Sequence, residues 1–324
     1  MNILKFLLIS IALATRLFSA QTQCNNIYFN NEAPDIINTK LIPKTKELCY
    51  STFAVMHSGI SRTPLWSAEH LTRASLASHS ERTNDFHSED RLPADERAEL
   101  NDYARSGFDR GHMSPSADMP NAQAQHDSFT LANMVPQNQE NNRGIWAHIE
   151  GATRNLAKDR GELYVVTGPI FIGSNLQRIG GRVLIPTKIY KAIYDPSSGF
   201  SSAYIVDNAD GNNYKVISIA ELEQLTGLKI FPKLSESAKQ NAMKLPEPSG
   251  KHSGSSKENA PVPTLYKAPT VAPTVVNTQE CKGKKTCREM SSCEEAKFYL
   301  NNCGVTTIDG DHDGVPCEKL CRGK

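Results

Sequence analysis

Hydrophobic residues in the first 245 positions follow two different periods. Five stretches are rich in β-branched and aromatic side chains and are bounded by turn-forming residues, a pattern that is typical of β-strands. They are Tyr50–Met56, Leu65–Leu71, Leu163–Phe171, Val183–Tyr194 and Ala203–Val206. One other stretch repeats apolar residues at helical spacing from Ile145 to Leu156, with Asn141 or Asn142 as N-cap and Gly161 as its end. Because strands and helix do not alternate regularly, the pattern predicts an α+β domain.

A change in composition marks the end of this domain. Residues 246–280 are rich in Pro, Ser and Gly and show little periodicity, which predicts a semi-extended linker. Residues 281–324 are rich in Cys and too few to build a sufficient core without cross-links. We therefore expect a first domain at 21–245, a linker at 246–280 and a small disulfide-rich module at 281–324.

The first 20 residues have the features of a signal peptide. Lys5 precedes the apolar run Phe6–Ala14, and Ser19-Ala20 suits cleavage, although Arg16 and Phe18 depart from the usual pattern. The run is shorter than the about 20 residues that span a bilayer. The segment predicts an exported protein, secreted or periplasmic, with no membrane span. A disordered or anchoring N-terminus is the alternative.

The cysteines agree with export. The chain has 8 Cys, all beyond residue 20, and an oxidising compartment favours disulfides. Cys24 and Cys49 stand alone in the first 280 residues, so their pairing is the simplest expectation. Zinc is the alternative for the C-terminal group, where Cys317 and Cys321 are close. The absence of a C-x-x-C pair in the sequence favours disulfides.

Charge and composition alone do not indicate a nucleic-acid partner. Lys and Arg number 36 against 35 Asp and Glu, giving a net charge of +1. Non-specific binding to nucleic acid depends on positive charge, because it is driven by counterion release. Any positive surface on this protein must therefore be local.

Two polar groups are candidates for chemistry. His112 follows Asp-Arg-Gly and precedes a Ser-Pro turn, and histidine suits general-base catalysis because it titrates near neutrality. Gly111 would allow a backbone conformation that other residues resist. Downstream, Asn133 and Asn142 belong to a concentration of amides, whose oxygens are acceptable ligands for Mg²⁺. Either group alone also fits a structural role, since Asn commonly forms turns and caps.

The order of these motifs resembles the sugar-nonspecific DNA/RNA endonuclease family. This family belongs to the ββα-metal (His-Me finger) group and includes mitochondrial endonuclease G. The resemblance spans roughly residues 49–232 and rests on Asp109-Arg110-Gly111-His112, Asn133-x-x-Pro-Gln, Asn142, Trp146, Glu150 and Arg154. It implies a central, mostly antiparallel sheet, DNA and RNA as substrates without sequence preference, and products with 5′-phosphate ends.

The resemblance also implies roles for individual residues. His112 would be the general base, and Asn142 would hold one Mg²⁺ (or Mn²⁺) acting as Lewis acid. Arg82 is similar to the family's arginine that contacts the scissile phosphate. Asn133 is grouped with the catalytic residues.

Three further positions are expected near the same site. If Glu150 and Asn142 lie on one helix, the rise between them is roughly 12 Å, which favours Glu150 acting through metal-bound water. Arg110 and Arg154 are candidate substrate-binding residues, and Arg154 is also placed to pair with Glu150, one helical turn earlier. Asp109 and Arg110 are expected to fix geometry rather than to react.

The C-terminal module contains a third motif. Three Asp at alternate positions precede Gly314, as at the start of an EF-hand loop, but Glu318 stands in the tenth place rather than the twelfth. With the surrounding Cys pattern, the motif resembles the excalibur family of extracellular calcium-binding modules. The resemblance implies Ca²⁺ ligands at Asp309, Asp311, Asp313 and Glu318. An acidic turn between disulfides is the alternative.

Together these patterns predict an exported, metal-dependent, non-specific endonuclease with a calcium module. Two other functions fit the same residues. One is a secreted phosphodiesterase of small nucleotides that uses the same site. The other is a calcium-stabilised extracellular binding protein with an inactive nuclease-like domain.

Overall fold

The computed structural model describes Cys24 and residues 26–78, 80–249, 283–301, 303, 305–310 and 316–321. The chain divides into two compact units, Met1–Ser253 and Gly254–Lys324. The predicted signal peptide and most of the predicted linker lie outside the described residues. Within the described ranges, no helix is both long and apolar enough to cross a membrane.

The first unit contains strands and short helices in mixed order. Its strands are β1 (Asp35–Ile36), β2 (Thr45–Cys49), β3 (Phe53–Ser58), β4 (Thr63–Thr72), β5 (Asp109–His112), β6 (Met134–Gln137), β7 (Glu162–Ile170), β8 (Arg178–Ile179), β9 (Val183–Leu184), β10 (Lys188–Asp195), β11 (Phe200–Asp207), β12 (Tyr214–Ile217) and β13 (Leu228–Lys229). Its α-helices are α1 (Leu100–Tyr103), α2 (Ala122–Ser128), α3 (Gln139–Asn141), α4 (Ala147–Arg160), α5 (Ile219–Thr226) and α6 (Glu236–Gln240).

A seven-stranded sheet organises this unit. The strand order is β12-β11-β10-β7-β4-β3-β2, and every neighbouring pair is antiparallel. The predicted α+β class with a mostly antiparallel sheet is confirmed. The apolar stretch Val183–Tyr194 forms two strands rather than one, because Pro186 lies between β9 and β10 and lacks the N–H that a continuous ladder needs.

Both faces of the sheet are covered. Along β10, Tyr190 packs in one apolar cluster with Trp66, whereas Ile189 and Ile193 pack in another with Trp146. Because neighbouring side chains of a strand point to opposite faces, the two clusters lie on opposite sides of the sheet. Helix α5 covers the first face, and α4 covers the second, which is the face that carries the candidate site.

The predicted helix begins differently from the expectation. The side chain that caps its first turn is Asn138, whose Oδ1 accepts from the backbone N–H of Asn141 over 3.0 Å. Residues Asn142–Trp146 then form a π-helical turn before α4 starts. The end is as predicted, since Gly161 terminates α4 with φ +100°.

Each of the two units contains disulfides of its own. Cys24 pairs with Cys49 as expected, and in the second unit Cys287 pairs with Cys317 and Cys293 with Cys321. Helices α7 (Cys293–Asn301) and α8 (Glu318–Cys321) pack there around a small core of Met290, Ala296, Tyr299, Ile308 and Cys317. These cysteines therefore form disulfides and not a zinc site.

Candidate active site

Two strands and a helical segment place the candidate catalytic residues. Strands β5 and β6 pair antiparallel, with His112 opposite Met134, and the chain then enters α3, the π turn and α4. Gly111 is needed here for space and not for conformational freedom, because its φ is not positive. A Cβ at this position would lie 2.0 Å from Oε1 of Gln137 on the neighbouring strand.

His112 is buried in an aromatic surrounding. Its ring lies against Phe129 and Phe86, with centroids 4.9 and 5.7 Å away. Burial, with the positive charges of Arg82 and Arg110, lowers the pKa of His112 to about 3. Among the described residues, Nε2 of His112 has no hydrogen-bond partner. The imidazole is thus neutral at physiological pH and has one ring nitrogen without a proton.

Two arginines stand beside this imidazole. Arg82 donates from Nη1 to Oγ of Ser116 over 2.6 Å and from Nε to Oδ1 of Asn84 over 2.8 Å. The guanidinium of Arg110 lies 3.9 Å from the ring centroid of Phe86. Both charges act on the pKa of His112, so the fold brings both predicted arginines to the predicted base.

Asn142 is oriented by the first residue of the Asp-Arg-Gly-His motif. Its Nδ2 donates to Oδ2 of Asp109 over 3.0 Å. Asp109 is held in turn by Arg143, whose Nε and Nη2 donate over 2.9 and 2.8 Å. In the part of the chain that the structure describes, Oδ1 of Asn142 makes no hydrogen bond to protein. The amide is thus fixed with its oxygen available as a ligand for a cation.

Asn142 and Glu150 do not lie on one regular helix, so the condition for the expected rise of roughly 12 Å is not met. Gly144 lies between them in the π turn with φ −103° and ψ −110°, which is not helical. A rise of 1.5 Å per residue therefore does not apply to this interval. π turns inside helices are frequent at functional sites, and this one joins the two candidate metal-site residues.

Glu150 has an unusual protonation equilibrium. Burial raises the pKa of Glu150 to about 7, with a smaller contribution in the same direction from Asp118. Lys191, Arg154 and Arg82 act in the opposite direction by favouring the ionised form. A carboxyl poised near neutrality in a cluster of charges is typical of functional sites.

Arg154 has a different partner from the predicted one. Its Nε donates a short hydrogen bond to Oδ1 of the buried Asp118. Its interaction with Glu150 is electrostatic only. Since the guanidinium is already held by a carboxylate, its contacts support a positioning role in place of the expected role in substrate binding.

Glu69 and Lys191 are buried residues of the site that the sequence analysis missed. Lys191 on β10 donates to Oγ1 of Thr167, its cross-strand neighbour, over 2.7 Å. Burial raises the pKa of Glu69 well above its usual range, with Asp118 adding to the shift and Lys191 opposing it. The sequence does contain a sign of both, because each is a charged residue within a segment that is predicted to be a strand.

Asn133 supports the site from within the core. Its Oδ1 accepts from the backbone N–H of Ser114 over 3.0 Å, and its Nδ2 donates to the carbonyls of Ser114 and Ser128 over 2.9 and 3.0 Å. The side chain is fully buried. These contacts use the amide to hold the chain just after His112, so they support a positioning role rather than contact with reacting atoms.

Comparison with known proteins places this geometry in a family. Residues 15–237 match the family model described as DNA/RNA non-specific endonuclease. The chain belongs to this family. The match covers β5, β6 and α4 together with every candidate residue of the first unit.

Individual relatives are nucleases by name. The chain is 34% identical over 209 residues to the mitochondrial nuclease EXOG of Danio rerio, covering 58% of this chain and 61% of the relative, less than two thirds of its length. It is 34% identical over 209 residues to nuclease C1 of Cunninghamella echinulata var. echinulata, covering 57% of this chain and 82% of that protein. The crystal structure of the EndoG/EndoGI complex is similar with a TM-score of 0.56 at 27% identity, covering 59% of this chain and 88% of that chain.

The second unit matches a calcium-binding family. Residues 284–318 match the Excalibur calcium-binding domain. Asp309 is buried directly after the turn Thr306–Ile308, and Glu318 begins α8. Asp311 and Asp313 lie outside the described residues, so the structure places two of the four expected ligands.

Proposed function

We propose that this protein is a metal-dependent endonuclease that hydrolyses the phosphodiester bonds of DNA and RNA without sequence preference. The observation that carries the proposal is the neutral, buried imidazole of His112, with its Nε2 unpartnered among the described residues, beside the guanidinium of Arg82. Family membership and the names of the relatives support it.

His112 and Arg82 have separate roles in the proposed reaction. His112 accepts the proton of the water whose oxygen attacks phosphorus. Arg82 donates to the phosphate oxygens on which charge builds up, as a charged planar donor. The bond between phosphorus and the 3′ oxygen breaks, which leaves the phosphate on the 5′ end of the product.

The donor set fits a hard divalent cation such as Mg²⁺ or Mn²⁺. The amide oxygen of Asn142 and the carboxylate of Glu150 are the oxygen ligands that such ions prefer. Asn142 would hold the ion directly, and Glu150 would act through its water shell. When bound, the ion supplies Lewis-acid stabilisation of the phosphate and the leaving oxygen.

The proposed lack of sequence preference follows from contacts between arginine side chains and phosphate groups. Arg82 and Arg110 are the arginines beside His112, and guanidinium groups suit phosphates, which are the same in every nucleotide. Arg154 is held by Asp118 and would position the site rather than bind substrate. Activity should therefore fall with added salt and should not depend on the bases.

The chain organisation and location are part of the proposal. We assign a signal peptide to 1–20, the nuclease domain to 21–245, the linker to 246–280 and a Ca²⁺-binding module to 281–324. The disulfides of both units and the Excalibur match support export to an oxidising, calcium-rich space. Asp309, Asp311, Asp313 and Glu318 would be the Ca²⁺ ligands.

One experiment tests the activity against its alternatives. Purified protein is incubated with plasmid, RNA and a dinucleotide, with Mg²⁺ or with chelator, beside the His112→Ala variant. The proposal expects cleavage of both polymers with Mg²⁺, none with chelator, and turnover lower by about 10²–10⁴-fold in the variant. Turnover of the dinucleotide alone would indicate a small-nucleotide phosphodiesterase, and no cleavage at all would indicate a binding protein.

A further inference from the structure

Two histidines and an aspartate meet on the surface near the candidate active site. The rings of His87 and His126 are parallel, with centroids 4.4 Å apart and an interplanar angle of 6°, so one ring must turn before a nitrogen of each can point at the same ion. Nδ1 of His126 lies 2.8 Å from Oδ2 of Asp85. One possible ligand atom from each of these three residues lies within 4.8 Å of the other two.

The three residues come from two segments that are already fixed to each other. The backbone N–H of His87 donates to the carbonyl of Phe129 over 3.3 Å, and the carbonyl of His87 accepts from Leu131 over 2.8 Å. His126 lies in α2, whose first turn is capped by the side chain of Asn121. Binding an ion here would thus order little additional backbone, which favours affinity.

The group is accessible and is not used by the proposed nuclease reaction. The side chains of Asp85 and His126 are 59% and 49% exposed. None of the three residues is among those assigned to proton transfer, phosphate contact or Mg²⁺ binding. A second group of possible ligands in the described residues contains Cys24 and Cys49, but these two form a disulfide and offer no thiolate.

We propose that Asp85, His87 and His126 form a second metal site in this unit, which binds a divalent transition-metal ion, with Zn²⁺ as the favoured ion. Imidazole nitrogen is a good ligand for Zn²⁺, Cu²⁺ and Ni²⁺, whereas Mg²⁺ and Ca²⁺ prefer oxygen. Two His and one carboxylate are also a common set for zinc, with a fourth position left to water. The chemistry of the donors therefore separates this site from the proposed Mg²⁺ site.

The position of the site gives the ion a structural consequence. Phe86 lies between two of the ligands in sequence, and its ring contacts both Phe129 and His112, with centroids 4.8 and 5.7 Å away. A bound ion joins the segment that carries Arg82 and Phe86 to α2. It thereby stabilises the aromatic side chains that pack against His112.

The test uses the untagged full-length protein in saturating Mg²⁺, so that the proposed Mg²⁺ site is occupied. Zn²⁺ binding is measured by titration calorimetry, and the melting temperature is recorded with and without Zn²⁺. The wild type should bind Zn²⁺ at this site and melt at a higher temperature with it. His126→Ala should weaken binding by more than about 10–100-fold, the loss that even an outer partner of a metal ligand causes.

Matched variants show whether the bound Zn²⁺ belongs to this group of three residues. His148→Ala removes a half-buried imidazole from α4, outside the group, and should bind Zn²⁺ like the wild type. Asn142→Ala, which removes the proposed Mg²⁺ ligand, should also keep this Zn²⁺ binding. Asp85→Asn and His87→Gln repeat the test with changes of similar size, should His126→Ala fail to fold. Unchanged Zn²⁺ binding in all three group variants, or loss of all binding in Asn142→Ala, would overturn the proposal, whether or not the protein is a nuclease.

Discussion

The side-chain amide of Asn142 donates to the carboxylate of Asp109 over 3.0 Å, across 33 positions of sequence. This bond joins the first residue of the Asp-Arg-Gly-His motif to the proposed Mg²⁺ ligand. It gives Asp109 a physical role, because an amide that is held by its nitrogen presents its oxygen in one direction. The relationship leads to a test of the metal site that leaves every proposed ligand intact.

Asp109→Ala should weaken Mg²⁺ binding by about 10–100-fold, the usual loss when an outer partner of a ligand is removed. The measurement is the Mg²⁺ concentration that gives half-maximal nuclease activity. Arg143→Ala is the matched control, since it removes the other partner of Asp109 but leaves the bond to Asn142. Equal effects of the two variants would show that the Asn142 bond does not orient a ligand.

His112→Ala should lower turnover by about 10²–10⁴-fold while folding and Mg²⁺ binding stay near normal, because a general base contributes a factor of this size. Single-turnover cleavage of plasmid measures it. His148→Ala should cut like the wild type. Retention of more than a tenth of the activity by His112→Ala would remove the residue from the role of base.

The pH profile should report Glu150 rather than His112. Since burial raises the pKa of Glu150 to about 7, its ionised form is lost as the pH falls through that value, and activity at limiting Mg²⁺ should fall with it. The pKa of His112, about 3, places its own protonation well below this range. Raising the Mg²⁺ concentration should move the loss to lower pH, because the cation favours the ionised carboxylate.

Glu150→Gln should abolish this pH dependence of activity, since an amide does not titrate.

The raised pKa of Glu150 also has a consequence for the stability of the fold. A carboxyl whose pKa is raised in the folded state binds its proton more tightly there, so its contribution to the unfolding free energy is lost as pH rises from about 4.5 to about 7. The difference in unfolding free energy between the wild type and Glu150→Gln should change in this window. A difference in unfolding free energy that stays constant across this pH window would show that the pKa of Glu150 is not raised in the folded state.

Gly111→Ala should destabilise the protein by about 1–3 kcal/mol, because the added Cβ would overlap the side chain of Gln137 in a packed interior. Urea denaturation measures the change. Gly151→Ala is the matched control, since an added Cβ there has nothing within 4 Å in the structure and alanine favours a helix. The loss of unfolding free energy caused by Gly111→Ala should be smaller when Gln137 is also replaced by Ala. An equal loss with and without Gln137→Ala would refute a steric origin.

The same glycine shows what the sequence could and could not predict. The motif marked Gly111 as special, but the reason lies in Gln137, which becomes its neighbour only when β5 pairs with β6. Arg154 likewise meets Asp118, 36 positions away, rather than Glu150 four positions away. Periodicity predicted β3, β4, β7, β10 and β11, the α+β class and the end of α4 because these depend on local pattern, whereas the antiparallel sheet was implied by the family resemblance. The partners of polar groups depend on tertiary contacts, which the sequence does not display.

Removing the disulfide by Cys24→Ser and Cys49→Ser together should cost about 2–4 kcal/mol, the usual contribution of a cross-link that closes a loop of this kind. The two cysteines are 25 positions apart, and Cys24 is buried in the cluster that contains Tyr28 and Trp66. Thermal unfolding with and without reductant measures the effect. Reductant should lower the melting temperature of the wild type's first unit more than that of the double variant.

This cross-link also makes the maturation of the fold depend on where the chain is. In a reducing compartment Cys24 and Tyr28 are held by non-covalent contacts, among them the hydrogen bond from the Tyr28 hydroxyl to Glu47 on β2. Oxidation adds the covalent tie later. Under the proposed export, the proposed nuclease therefore lacks this covalent tie in the reducing compartment where it is made and gains it in the oxidising one.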